Sequence, residues 1–190
     1  MPADGSLTLP YPHPPLADAI VALRPWRADD IPRKYRAYSD ATVDRFAWPH
    51  AAPYTEADAR ALFLAQQDQR LAGVELSLAL VDPDGSALLG GVALHVVSRE
   101  DGVASVGYWL AADARGRGVA THAVRLLAAW AFGTLGLRRL ELTCAPDNPA
   151  SQRVAERCGF TREAVLRSHL PFKGGLRDTV MYGLLPGELR

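Results

Sequence analysis

The sequence predicts a single α/β (α+β) domain in which a mixed, mostly antiparallel central sheet is flanked by helices. Apolar segments joined by short turns between residues 75 and 110 indicate an antiparallel meander. Helix and strand patterns alternate from residue 119 onwards, as they do in layered domains. A length of 190 residues suits one domain, and an apolar content of 48% is enough for a packed core.

The N-terminal half is predicted to begin with an arm. Residues 1–17 contain five of the 14 prolines and are expected to be extended, while residues 18–190 form the domain. Thr55 is a candidate N-cap with Asp58 three residues later, and Gly73 ends the helix that follows. The predicted elements of this half are a strand at 19–26, a helix at 28–38, an aromatic and proline-rich connection at 44–54, a helix at 55–72, and strands at 75–81, 88–97 and 103–110.

The C-terminal half alternates helices and strands. Its longest helix carries apolar residues at helical spacing, which predicts that one side of it packs on the sheet. The predicted elements of this half are a loop at 111–118, a helix at 119–135, a strand at 138–145, a helix at 150–157, and strands at 160–167 and 178–185.

The charge balance and the cysteines limit the classes of partner that the protein is expected to bind. Lys and Arg number 21 and Asp and Glu number 21, so the net charge is zero, whereas nucleic acids and acidic membranes attract a basic surface. The two cysteines, Cys144 and Cys158, stand outside any CxxC or Cys/His pattern, which predicts reduced thiols and no metal site. The first residues lack the basic and apolar segments of a signal peptide. We therefore expect a soluble, cytoplasmic protein without a nucleic-acid, membrane or metal partner.

One segment has the chemistry of an anion site. Gly116 and Gly118 stand directly before the long helix, after a strand. The first N–H groups of a helix have no partner within it, and glycines let the backbone approach a phosphate closely. Arg115 and Arg117 add positive charge. The segment lacks the GK[ST] ending of a Walker loop, and Thr121 replaces the third glycine of a dinucleotide-binding motif. A tight turn with solvated arginines is the structural alternative.

Two motifs resemble those of a known enzyme family. Residues 115–120 (RGRGVA) fit the R/Q-x-x-G-x-G/A loop of the GNAT acyl-CoA N-acyltransferase superfamily, and residues 148–160 are similar to its N-x-x-S…GF segment. The likeness extends over residues 88–185, is weaker over residues 19–81, and implies a single GNAT-type domain. The residues that resemble the branch containing the ribosomal-protein-alanine N-acetyltransferases are the run GYWL at 107–110 and Arg167, Asp178 and Tyr182.

The resemblance implies that acetyl-CoA, or another short acyl-CoA, is the co-substrate. Backbone groups in the loop would pair with its pantetheine arm and hold its pyrophosphate, while Asn148 would bind a pantetheine amide. Ser151 would donate a proton to the departing thiolate, or alternatively it only caps its helix. The implied donor-binding residues are Leu110, Ala111, Ala112, Arg115, Gly116, Arg117, Gly118, Val119, Ala120, Thr121 and Asn148.

The sequence departs from the family pattern where a general base is usually sought. Relatives often carry Glu two residues before the GY pair and another Glu at the start of the helix, and this chain has Ser105 and His122 there. His122, His95 and Glu141 are the candidate bases, because histidine titrates near neutral pH and a carboxylate can accept a proton. Each of the three also has a purely structural alternative.

The acceptor site is expected between the first helices and the last two strands, here residues 44–54 and 171–178. Aromatic walls suit an apolar or aromatic amine, or the end of a peptide. The same side chains could equally pack in the core or at an oligomer contact. The candidate acceptor-binding residues are Trp48, His50, Tyr54 and Phe172.

The predicted function is N-acetyltransfer. A primary amine of a protein N-terminus or of a small molecule would attack the acyl group of acyl-CoA directly, within a ternary complex. The alternative is a non-catalytic acyl-CoA-binding or interaction protein on the same fold, which the absent carboxylates favour. A third reading is a site for another phosphate ligand such as a nucleotide. The resemblance also implies a homodimer.

Overall fold

The computed structural model describes residues 8–190, which fold into one eight-stranded sheet with helices on both faces. Residues 1–7 of the predicted arm lie outside the described residues. The strands are β1 (Leu16–Ala17), β2 (Ala22–Arg24), β3 (Glu75–Val81), β4 (Leu88–Ser98), β5 (Val103–Leu110), β6 (Arg139–Cys144), β7 (Thr161–Phe172) and β8 (Gly175–Leu184). The α-helices are α1 (Ile31–Tyr38), α2 (Ala41–Phe46), α3 (Glu56–Leu71), α4 (Val119–Gly133) and α5 (Pro149–Cys158).

Two neighbouring strands near the middle of the sheet, β5 and β6, are paired over only part of their length. The strand order of the sheet is β1-β2-β3-β4-β5-β6-β8-β7, and every neighbouring pair is antiparallel except β5 and β6. The parallel pairing covers only Val103–Ser105 opposite Arg139–Glu141, and the two strands part beyond it. This topology confirms the predicted mixed, mostly antiparallel sheet flanked by helices.

The two faces of the sheet differ in chemistry because side chains alternate along each strand. Leu94, Val106 and Leu140 lie on the first face, where they are buried in the main core together with Leu127 of α4. The second face lies under α1 and α3 and carries smaller or polar side chains. Those along the three central strands are Ser77, Gly91, Ala93, His95, Ser105 and Gly107.

The N-terminal strand is shorter than predicted. The segment predicted as one strand at 19–26 forms only β2, and a turn separates it from β1. Asp18 closes this turn, because its carboxylate accepts the N–H groups of Ile20 and Val21. Within the described part of the arm, Leu9 is fully buried in the main core.

Helix α2 begins where the sequence predicted no element and ends within the predicted aromatic and proline-rich connection at 44–54. The Asp40 carboxylate accepts the N–H groups of Thr42 and Val43, and so caps the first turn of the helix. The helix lies beside the opening in the sheet.

The last two strands form a longer hairpin than predicted. Phe172 pairs with Gly175 around a two-residue turn, in which Lys173 and Gly174 both have positive φ. Such a turn matches the twist of the strands that it joins. Residues 171–175, which lie between the two predicted strands, are therefore mostly strand. The hairpin reaches the segment that follows α2, where the Lys173 N–H donates to the Pro49 carbonyl.

Asp30→Ala is expected to lower the free energy of unfolding by about 3 kcal/mol, because a buried ion pair would lose one partner. Asp30 is buried before α1 and accepts two hydrogen bonds from the Arg24 guanidinium, at 2.7 and 2.8 Å. Urea denaturation measures the change. Asp29→Ala, which removes an exposed carboxylate of the same turn, is the control, and equal losses in both variants would contradict the prediction.

Candidate active site

A cavity of about 670 Å³ lies between the open middle of the sheet and the surrounding helices. Gly91, Ala93 and Gly107 line its floor and leave room above the sheet. One end, which we call the α4 end, is lined by the N-terminal parts of α4 and α5. The other, the α1 end, is lined by α1 and α3. The cavity therefore connects two chemically different sites.

The N-terminus of α4 is open towards the cavity. Its N-cap, Gly118, has a φ of 81° and supplies no capping side chain. The first hydrogen bond of the helix runs from the His122 N–H to the Gly118 carbonyl, so the preceding N–H groups point out of the helix end. A Cβ on Gly116 would meet no atom within 4 Å. This backbone fits an anion such as a pyrophosphate.

Arginines add positive charge to the α4 end. Arg115, Arg153 and Arg157 line the cavity, and Arg115 is paired with Asp40 at the cap of α2. Among residues 115–121 of the predicted donor site, only Arg117 does not line the cavity. The residues of this range that do are Arg115, Gly116, Gly118, Val119, Ala120 and Thr121.

The predicted pantetheine-binding strand end lies where β5 and β6 part. Leu110 lines the cavity, and its carbonyl accepts a hydrogen bond from Arg115 at 3.2 Å. Ala111 and Ala112 line a smaller hollow beside it, and the Ala111 N–H donates to the Leu89 carbonyl. The parted strands leave backbone groups of β5 without a β6 partner next to the cavity.

A chain of hydrogen bonds links β5 to α5. The Tyr108 hydroxyl donates to Ser151 Oγ at 3.0 Å, and the Ser151 N–H donates to Asn148 Oδ1 at 3.1 Å. Asn148 is thus the N-cap of α5, and the Ser151 hydroxyl stays in the cavity. Burial raises the pKa of Tyr108, so the phenol keeps its proton. The sequence analysis missed Tyr108, whose only signal was its place in the GY pair.

His95 is the candidate base that the structure brings into the cavity. Its Nδ1 lies 3.0 Å from Glu75 Oε2, and its Nε2 lies 3.7 Å from the position of a Cβ on Gly107. A carboxylate that holds one ring nitrogen orients the other. Nε2 therefore faces the opening between β5 and β6. Glu75 also lines the cavity and was missed by the sequence analysis.

The other two candidate bases lie outside the cavity lining. His122 Nδ1 is 2.7 Å from Asp18 Oδ2, so this histidine joins α4 to the turn before β2. Glu141 accepts a hydrogen bond from Arg139 at 3.0 Å. Because neither side chain reaches the cavity, we do not assign a proton-transfer role to either.

The predicted aromatic wall of the acceptor site is instead an aromatic cluster. Trp48 and Tyr54 are buried, with ring centroids 4.8 Å apart, and His50 packs on Trp48. These three side chains do not line the cavity. Phe172 also lies outside the cavity lining. Its ring centroid is 3.7 Å from the guanidinium of Arg177, and Arg177 lines the cavity. The lining residues of this region are Tyr38, Phe46 and Leu62.

No helix within residues 8–190 is long and apolar enough to cross a bilayer. The same residues contain no group of three or more His, Cys, Asp or Glu side chains that could hold a metal ion.

The proteins to which this chain is similar include bacterial acetyltransferases. The N-acetyltransferase p20 of Bacillus licheniformis, itself uncharacterised, is 27% identical over 169 residues, which cover 88% of this chain and 94% of p20. The ribosomal-protein-serine acetyltransferase of Escherichia coli (strain K12) is 32% identical over 80 residues, 42% of this chain and 45% of that one. RimJ of Mycobacterium smegmatis, solved in complex with CoA-disulfide, superposes with a TM-score of 0.80 at 24% identity, over 92% of this chain and 87% of RimJ.

The family model described as an acetyltransferase (GNAT) domain matches residues 21–161, which is most of the chain. The match includes the strands that part, the open N-terminus of α4, and Tyr108, Asn148 and Ser151. The likeness to RimJ shows that the fold is shared. The chain therefore belongs to the GNAT acetyltransferase family, is consistent with its ribosomal-protein acetyltransferase branch, and is an acyl-CoA-dependent acetyltransferase.

Proposed function

We propose that the chain transfers an acetyl or similarly short acyl group from acyl-CoA to a primary amine by direct attack in a ternary complex. The observation that carries this proposal is the continuity of the cavity. It joins the open N-terminus of α4 to His95 at the α1 end, with the Tyr108–Ser151 pair between β5 and α5. Two substrates held in one cavity can react without a covalent enzyme intermediate.

The donor is proposed to bind at the α4 end. The N–H groups from Gly116 to Thr121 would hold the pyrophosphate, because they point out of a positive helix end. The Oδ1 atom of Asn148 caps α5. The amide N–H groups of Asn148 are therefore available to donate to a pantetheine carbonyl. Bound acyl-CoA supplies an activated thioester carbonyl beside the Ser151 hydroxyl.

Two proton transfers are assigned to named atoms. The attacking amine must lose a proton, and His95 Nε2 is the proposed acceptor, with Glu75 stabilising the charged ring. The departing sulfur must gain a proton, and Ser151 Oγ is the proposed donor. Because Tyr108 donates to that oxygen, it can resupply the proton, and the proton that His95 then releases to water restores the phenol. The products are an N-acyl amide and the free CoA thiol.

The acceptor is a primary amine of a protein N-terminus or of a small molecule. One relative is named as a ribosomal-protein-serine acetyltransferase, which supports a protein acceptor. A cytoplasmic location and a homodimer stay predictions.

The direct test of the proposal combines binding and turnover. Calorimetric titration with CoA, acetyl-CoA and succinyl-CoA should show binding and an acyl preference. Thiol release with a panel of amines should depend on both substrates and follow sequential kinetics. Ping-pong kinetics would replace direct attack with a covalent intermediate.

Tyr108→Phe is expected to lower kcat by about 10²-fold, which is typical of losing a proton donor, with little change in the KM for acetyl-CoA. The lost hydroxyl is the one that donates to Ser151 at 3.0 Å. Steady-state kinetics measure the split between kcat and KM. Tyr35→Phe, at a half-buried tyrosine outside the cavity lining, is the control. A kcat that falls equally in both variants would remove Tyr108 from the mechanism.

A further inference from the structure

The α1 end of the cavity contains a buried cation that has no anionic partner among the described residues. Lys34 lines the cavity and is only 6% exposed, yet it forms no hydrogen bond or ion pair within residues 8–190. Its ammonium lies 4.8 Å from the centroid of the Trp26 ring. Buried charges in folded proteins are normally paired. A ligand in the cavity could therefore supply the missing negative partner.

The charge state of Lys34 suits this role. Burial lowers the pKa of Lys34 to about 8, and the nearby Glu75 carboxylate raises it. The amine is therefore mostly protonated at neutral pH. Glu75 does not neutralise it by contact, since the carboxylate is bound to His95 and lies beyond ion-pair distance of Lys34.

Further polar side chains line the α1 end of the cavity. Lys34 and Tyr38 lie one turn apart on α1, and Gln66 and Gln69 share a face of α3. The other titratable groups that line this end are Tyr38 from α1, Glu75 from β3 and His95 from β4. This end thus offers both the Glu75 carboxylate and the Lys34 ammonium to a single ligand.

The positions of these groups across the sheet determine how a ligand would be oriented in the cavity. Glu75, His95 and Ser105 are directly opposite one another on β3, β4 and β5, about 5 Å apart from strand to strand. His95 Nε2 faces the β5 side, where the reacting amine would lie. Lys34 lies towards β3, since it packs over Trp26, whose indole N–H donates to Ser77 of that strand. A group that reaches Lys34 must therefore extend from the amine away from the thioester.

We propose that Lys34 binds an acidic group of the acceptor, so that the chain prefers amines carrying a carboxylate a few bonds from the nitrogen over the corresponding neutral amides. The inference rests on the proposed function, because it specifies the acceptor of the same cavity. The ammonium of such an acceptor faces Glu75 and His95, and its carboxylate faces Lys34. Lys34 is a specificity-determining residue in this arrangement.

The kinetic test uses the full-length chain and a ladder of ω-amino acids from glycine to 5-aminopentanoate, each with its amide. At the best chain length, kcat/KM is expected to favour the acid by about tenfold or more, the size of one charged hydrogen bond. Dipeptides with Asp or Asn after the N-terminal residue show whether the acid belongs to a peptide or to a free amino acid. Equal rates for acids and amides in both series overturn the proposal.

Two variants separate recognition from folding. Lys34→Gln is expected to abolish the preference by raising the KM for acids, while amides keep their kinetics. Lys173→Gln changes the only other lysine, which pairs with Asp44 outside the cavity lining, and should keep the preference. A preference that persists in Lys34→Gln overturns the assignment of Lys34.

A second readout does not depend on turnover. Reductive methylation of the two lysines, followed by mass spectrometry, measures the protection of each. An N-acetyl ω-amino acid is expected to protect Lys34 and leave Lys173 unchanged, and its amide is expected to protect neither. Equal methylation of Lys34 with acid and amide overturns the proposal. Absence of acetyl transfer to every amine would instead overturn the proposed function, and the protection experiment would still decide the role of Lys34.

Discussion

Replacing His95 with alanine is expected to lower kcat by about 10²-fold or more for every amine acceptor, which is the effect of losing a general base. His95 Nε2 faces the opening between β5 and β6, and Glu75 holds Nδ1 at 3.0 Å. The KM for acetyl-CoA should change little, since the donor is proposed to bind at the α4 end. Steady-state kinetics with saturating acetyl-CoA measure both values.

Two further variants make this result specific. Glu75→Gln keeps the shape of the side chain and removes its charge, so it should lower kcat less than His95→Ala does. His122→Ala removes a histidine outside the cavity lining and should retain kcat. A wild-type kcat in His95→Ala would assign the proton to water or to another group.

Gly118→Val is expected to weaken acetyl-CoA binding by about 10²-fold or more. The φ of 81° at Gly118 is strained for a β-branched residue, and the added side chain would stand beside the N–H groups that face the ligand. Isothermal titration calorimetry measures the dissociation constant.

The matched control for this variant is Gly85→Val. Gly85 has a φ of 77° in the turn between β3 and β4, and a Cβ there would meet no atom within 4 Å. Both variants should lose stability through the same backbone strain, while only Gly118→Val should lose affinity for acetyl-CoA. Unchanged affinity in Gly118→Val would remove this loop from the donor site.

Local patterns in the sequence predicted much of the fold. The apolar runs and turns between residues 75 and 110 predicted three central strands with nearly correct bounds. The Thr55–Asp58 signal predicted a helix start, and the structure shows both halves of that capping box. Glycines at 116 and 118 predicted the open helix end. Each of these features depends on residues that are close in sequence.

The pairing of Glu75 with His95 could not be predicted in this way. A regular hairpin that starts from Val81 opposite Leu88 would place Leu94 opposite Glu75. The structure pairs Glu75 with His95, because a bulge beside Val81 shifts the register by one residue. A shift of one residue exchanges the two faces of a strand. The partner of His95 thus depends on an irregularity that composition and spacing do not reveal.

The acceptor end was missed for a different reason. The sequence analysis chose Trp48 and Tyr54 because they are aromatic, and the structure buries them in a cluster. Polar residues on amphipathic helices usually face water, so Lys34, Gln66 and Gln69 gave no signal. Only the packing of α1 and α3 over the sheet turns them towards the cavity.

The parting of β5 and β6 gives the sheet four edges instead of two. The outer edges belong to β1 and β7, and an outer edge can recruit a strand from another molecule. The inner edges face each other across a gap within a single protein. Their unpaired backbone groups are available to a narrow, extended ligand, whereas a second protein strand with full side chains needs more room. The fold can thus offer backbone hydrogen bonds to a ligand in the gap. It does so without exposing a further strand edge at which other molecules could aggregate.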